Sequence, residues 1–154
     1  MKAEPARYVL DSFALLAHLQ GEPAGRRVKA ILAQAEKRRA VVVLSIINYG
    51  EAVYIIEREH GMKAAQTMIA AVDQLPVTVV AADRRLTFSA AHIKALHPIS
   101  YADAFTVALA VQEQATVVTG DPEFRRVEHL APVEWLNRQH RTAGLQRGPR
   151  KTSG

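Results

Sequence analysis

Arg7-Tyr8-Val9-Leu10-Asp11-Ser12-Phe13-Ala14-Leu15-Leu16 reads as a short buried strand closed by an acid and followed at once by a helix. Phe13, Leu15, Leu16 and Leu19 supply the apolar positions of that helix, which spans 12–20 and breaks at Gly21. A strand feeding a helix is the start of an α/β unit, and the rest of the chain repeats it. Val41-Val42-Val43-Leu44, Pro76-Val77-Thr78-Val79-Val80 and Ala115-Thr116-Val117-Val118-Thr119 are further apolar runs of strand length. Helices are predicted between them. One opens at Glu22-Pro23-Ala24, carries Val28, Ile31, Leu32 and Ala35 on one face, and ends in Lys37-Arg38-Arg39. Others span 45–60, capped by Ser45 and closed by Gly61, then 62–73, 83–96 and 100–114. Gly120-Asp121-Pro122-Glu123-Phe124 is a turn feeding one short helical turn, and Val133-Glu134-Trp135-Leu136 fits a last edge strand. Apolar strands alternating with helices predict an α/β fold, a three-layer α/β/α sandwich around a central parallel sheet of about four to five strands.

The chain has 154 residues, the size of one domain, and 49% of them are apolar, enough for a substantial core. It has no cysteine, which excludes disulfides, thiolate zinc sites and cysteine nucleophiles. Nothing resembling an apolar signal core follows the N-terminus, and no run reaches the roughly 18 apolar residues of a membrane span. A soluble cytoplasmic protein is expected. All 15 acids lie at or before Glu134, whereas Arg138, Arg141, Arg147, Arg150 and Lys151 follow without an acid among them. One domain over residues 1–141 and a basic, unfolded tail over 142–154 are therefore expected, the tail being a generic attractor for phosphate backbones.

Ligands of open parallel sheets bind at the carboxyl ends of the strands. Asp11 closes the first strand, Asp121 follows the fourth by one glycine, and Asp103 sits in the first turn of the helix opened by Ser100. Each has a structural reading as a helix cap or capping-box member. Glu51 does not, because Ser45 already caps its helix. Its spacing from Ile47 and Ile55 puts it on their side, which should pack on the sheet, where a carboxylate is costly unless something compensates it. An ion pair with Arg58, or a helix rolled to expose Glu51, are the alternatives. Carboxylates converging on one pocket suit a hard divalent cation such as Mg2+, which takes oxygen ligands and can activate water against a phosphodiester. Ser12, Asn48 and Thr119 are placed to hold water or orient a carboxylate.

Val9-Leu10-Asp11-Ser12, Ser45-Ile46-Ile47-Asn48-Tyr49-Gly50-Glu51, Tyr101-Ala102-Asp103-Ala104-Phe105 and Val118-Thr119-Gly120-Asp121-Pro122-Glu123-Phe124 together resemble the PIN-domain family, above all the VapC toxins of toxin–antitoxin pairs. The likeness runs from about Tyr8 to Leu136. It implies a PIN-like sandwich and an endoribonuclease dependent on Mg2+ or Mn2+. Asp11, Glu51, Asp103 and Asp121 match the family's acidic quartet. Thr119 matches a hydroxyl position near the metal, and Ser12 lies beside the first acid. A homodimer and a cognate VapB-like antitoxin, which lays a peptide over the toxin and often a basic side chain in its acidic pocket, are also implied. The basic tail is longer than a minimal toxin needs.

Two other classes compete. A phosphate-accepting receiver wants paired acids near the first strand, and a dehalogenase-type phosphatase wants an acid where Phe13 stands. A non-catalytic RNA-binding module would not need the full acid set. His18, His60, His92, His97, His129 and His140 show no metal-ligand spacing. Arg84-Arg85 and Arg125-Arg126 are candidate grips on RNA phosphates. Phe105, Val107, Leu109 and Val111 read as core, and Tyr49 and Tyr54 as possible interface residues.

Overall fold

Val9 and Leu10 are both fully buried, and they point to opposite faces of one strand. Val9 packs with Val43 and Val117 in one apolar cluster, and Leu10 packs with Leu44 and Val118 in another. A strand apolar on both faces needs a helical layer on each side. The computed structural model, which describes residues 4–136, provides this. β1 (Ala6–Leu10) lies at the centre, between β2 (Ala40–Ser45) and β4 (Thr116–Thr119); β3 (Thr78–Val80) extends the sheet beyond β2, and β5 (Val133–Trp135) extends it beyond β4. The order is β3-β2-β1-β4-β5, and every pairing is parallel. The expected sandwich forms, with the optional edge strand present. The basic tail expected over 142–154 lies outside the described residues.

α1 (Ser12–Leu19), α2 (Gly25–Glu36), α3 (Ile46–His60) and α4 (Met62–Val72) cover one face of the sheet, burying Leu15, Val28, Ile31, Tyr49, Ala52, Ile56 and Met68. α5 (Arg84–Leu96), α6 (Tyr101–Glu113) and a 3-10 turn over Pro122–Val127 cover the other with Leu86, Phe105, Leu109 and Phe124. Of the six α-helices among the described residues, four, α1, α3, α5 and α6, begin where short polar side chains satisfy their free N–H groups. Ser45 accepts from the Ile47 amide at 3.1 Å, Asp83 from Leu86 at 2.8 Å and Ser100 from Asp103 at 3.1 Å.

Two core and interface expectations change. Val111 is 53% exposed, because the packed face of α6 runs through Ala104, Val107 and Ala108 and leaves the helix's outer rim to water. Tyr49 is buried, and its hydroxyl lies 3.1 Å from the Ile69 carbonyl and 3.0 Å from the Asp73 carboxylate. It clamps α3 to α4 and is not a surface residue. Tyr54 is exposed, under the Arg58 guanidinium.

The chain builds β1, β2 and β3 outward on one side, then returns through α5 and α6 to place β4 and β5 on the other. Strand order thus reverses between β1 and β4. Segments leaving two such strands diverge and open a crevice at their carboxyl ends. Asp11 follows β1 directly, and Asp121 follows β4 after Gly120.

Candidate metal centre

The crevice is a cleft of about 370 Å³ whose polar lining includes Asp11, Glu51, Asp103, Asp121 and Glu123. Asp11 is only 1% exposed. One carboxylate oxygen accepts the Ala14 amide at 2.8 Å, capping α1, and the other accepts the Thr119 hydroxyl. Thr119 in turn accepts the Asp121 amide at 3.0 Å, and Asp121 accepts the Glu123 amide at 2.9 Å. The end of β4 and the start of α1 are thus joined by one hydrogen-bonded chain that orients two acids. Capping and site-building are the same geometry here: these acids cap helices because helices start at the carboxyl ends of strands, where the crevice opens.

Asp103 is brought in from α6, by way of the Ser100 cap that fixes the helix's first turn. It is 7% exposed. Burial, followed by the charges of Asp11 and Asp121, pushes its carboxyl up to about 8 from an ordinary 3.8. A hydrogen bond with Glu123 adds to that shift. Burial raises Asp11 to about 7, its bonds to Thr119 and Ala14 oppose this, and the charges of Asp121 and Glu51 add to it. At neutral pH Asp103 therefore favours its protonated form and Asp11 stands near the midpoint of its titration, unless a cation displaces the protons.

Glu51 arrives differently from the expectation. The inward face of α3 is Asn48, Tyr49, Ala52 and Ile56, not the Ile47–Glu51–Ile55 side. Tyr49, Ala52 and Ile56 form a stripe at helical spacing, and Ala52, fully buried, permits close approach. Ile47 is left at 36% exposure, and Glu51 is half-buried on the cleft margin. Its carboxylate accepts the Ser12 hydroxyl. Asn48 does not reach a carboxylate. Its amide donates to the Ala102 carbonyl at 3.0 Å, tying α3 to the turn that carries Asp103.

Sequence reasoning missed Glu123 as a site residue. Carboxylate oxygens of Asp103, Asp121 and Glu123 all lie within 4.8 Å of one another, while Asp11 and Glu51 line the same cleft beside them. The signal was present in Asp121-Pro122-Glu123, since proline at the first helical position sets a tight turn that brings residues two apart together. Gly120 has a steric reason as well. A Cβ there would sit 2.3 Å from Cε1 of Phe13, so only glycine lets that ring lie against the backbone between Thr119 and Asp121.

An α/β/α sandwich with carboxylates gathered at its topological switch point offers an all-oxygen set of donors of the kind that hard cations take. The chain belongs to the PIN-domain family, whose profile matches residues 8–130. No curated protein sequence matches it significantly. Among solved structures it is similar to VapBC2 from Rickettsia felis bound to a promoter DNA fragment, at 16% identity and TM-score 0.69, covering 85% of this chain and 99% of that one. It is similar to DNA-bound VapBC from Salmonella typhimurium at 16% identity and TM-score 0.66, covering 86% and 99%. VapC20 of Mycobacterium tuberculosis, a sarcin–ricin loop cleaving toxin, matches at 21% identity and TM-score 0.63, covering 78% and 94%.

Proposed function

We infer that this protein is a divalent-metal-dependent endoribonuclease acting as the toxin of a toxin–antitoxin pair. The observation that carries the reading is the convergence of Asp11, Glu51, Asp103 and Asp121, with Glu123, on one cleft at the carboxyl ends of β1 and β4. The likeness to VapC20 and to VapBC complexes supports the choice of RNA as substrate and of a VapB-like antitoxin as partner.

The donor set fits Mg2+ or Mn2+. It is all oxygen, and burial together with neighbouring charge holds Asp11 and Asp103 well above the usual carboxylate range without a cation. Asp103, Asp121 and Glu123 would hold the ion, with Asp11 and Glu51 completing the site. Bound there, the cation would stabilise charge on the phosphodiester and acidify a water. The protein's own residues do the rest. Thr119 and the Ala14 amide fix Asp11, and the Ser100 cap and the Asn48–Ala102 bond fix the turn that bears Asp103. Glu51 commits one oxygen to Ser12 and has the other for water or a proton. Phe13 and Leu16 give the cleft an apolar wall that limits water.

A homodimer and a cytoplasmic location belong to this reading. Among the described residues no helix is long and apolar enough to cross a membrane. The test is cleavage of a structured RNA by the purified protein. Cutting should need Mg2+ or Mn2+, stop with chelator, and be lost in Asp11→Asn, Asp103→Asn and Asp121→Asn while circular dichroism is retained. RNA bound but never cut at millimolar metal would favour the non-catalytic module.

A further inference from the structure

A second polar pocket, of about 300 Å³, lies where α1 passes into α2, lined by His18, Gly21, Glu22, Gly25, Arg26 and Lys29. Its charge is opposite to that of the acidic cleft. Six of the protein's 20 Lys and Arg side chains fall in residues 22–39, against two of its 15 acids, Glu22 in the pocket wall and Glu36. Arg27 is taken up by Glu134 on β5, at 2.7 Å. Arg26, Lys29 and Lys37 recur at helical spacing along the exposed side of α2. The corner is tightly built. A Cβ at Gly25 would lie 2.4 Å from the Ala17 carbonyl oxygen, so glycine lets the first turn of α2 come against α1, beside His18. Burial and the nearby Lys29 hold His18 below its ordinary range, which leaves a neutral ring able to donate a hydrogen bond.

The two pockets border one helix, α1, from different sides. Leu16 lines the acidic cleft, and His18, two residues on, lines the basic pocket. Ser12 and His18 are separated by about 9 Å of helix rise. A strand that also rounds roughly half the girth of a helix about 10 Å across covers the path in about five nucleotides at about 3.4 Å each. A cleft of carboxylates repels the phosphates on either side of the one it acts on, so a polyanionic substrate needs cationic partners close by.

We propose that the His18–Arg26–Lys29 pocket, continued along the exposed side of α2, is a phosphate-binding track that holds the RNA strand beside the acidic cleft. The assignment rests on the nuclease reading above. The test compares the full-length protein with Arg26→Ala/Lys29→Ala and with Lys63→Ala/Lys94→Ala, a control that loses the same charge from exposed positions on α4 and α5. Cleavage of a single-stranded RNA in Mn2+ is followed across a range of KCl concentrations. For the first double variant KM should rise about tenfold with kcat little changed, and the slope of log KM against log salt should fall by about 1.4, or about 0.7 for each of two phosphates. The control should move neither. Unchanged KM and slope in the first double variant overturn the proposal, and so does an equal effect in both, which would make net charge the cause. Unchanged RNA kinetics with lost inhibition by a co-expressed antitoxin also overturn it and give the face to a protein. If the wild type cuts no RNA, the nuclease reading fails separately, and filter binding of the same RNA with the same variants still decides the track.

Discussion

Asp103→Asn should make the metal-free protein more stable at alkaline pH while abolishing cleavage. Asp103 and Asp11 are held up to about 8 and about 7 in the folded protein, chiefly by burial, against 3.8 in an open chain. Between about pH 4 and pH 8 the folded state therefore keeps protons that the unfolded state has released, and the metal-free protein loses stability as pH rises through that window. Asparagine keeps the shape of the side chain and removes the charge. Moving a carboxyl from 3.8 to about 8 corresponds to about 6 kcal/mol at about 1.36 kcal/mol per unit. Water entering the cleft and relaxation around the charge reduce the observable gain to about 2–4 kcal/mol. For a chain of this size that raises Tm by about 5–15 °C. The assay is urea unfolding in chelator at about pH 5, 7 and 9, followed by circular dichroism, for wild type and variant. Wild type should weaken steeply across the series and the variant much less. Added Mn2+ should restore the wild type at the alkaline end and do little for the variant. Equal stabilities at about pH 9, or equal losses from about pH 5 to pH 9, would mean that burial and neighbouring charge in the shared cleft do not hold these carboxyls up. The argument for a cation site would then fall.

Thr119→Val removes the hydroxyl that donates to Asp11 and accepts from the Asp121 amide. It should cost about 1–3 kcal/mol of stability and weaken Mn2+ binding in calorimetry, since two acids lose their orientation. Gly120→Ala forces a Cβ to within 2.3 Å of the Phe13 ring, so it should cost about 1–3 kcal/mol and most of the cleavage rate, and Phe13→Leu in the same chain should recover part of both. Failure of that second change to help would put the cause elsewhere. Gln114 sits at φ 51 after α6 and Arg38 at φ 58 after α2, left-handed positions where glycine is favoured. Gln114→Gly should raise the unfolding free energy by up to about 1 kcal/mol in urea titration, because relief of Cβ strain outweighs the added chain entropy.

Much of the candidate site was legible in the linear chain, because helices in this fold start at the carboxyl ends of strands. Asp11 and Asp121 announce those starts as caps and face the crevice, as does Ser100, the cap of α6, which follows α5. Glu51 was legible by exclusion, since no capping role explains it. Its orientation was not, because helical periodicity alone offered the Ile47–Ile55 side, whereas the stripe of Tyr49, Ala52 and Ile56 packs closest and rolls Glu51 to the cleft margin. Glu123 and the Asn48–Ala102 tie were hidden for a related reason, as both depend on how distant segments meet.

The sequence by itself determined the layering, because Val9, Leu10 and Val41-Val42-Val43-Leu44 are apolar at successive positions and successive strand side chains point to opposite faces. It also determined which acids lie at strand ends. Only the tertiary structure decided that β4 pairs with β1 and not with β3, which opens the crevice between Asp11 and Asp121. Strand pairing is settled by packing among segments more than 100 residues apart, such as Thr119 and Asp11. Local periodicity carries no record of that choice.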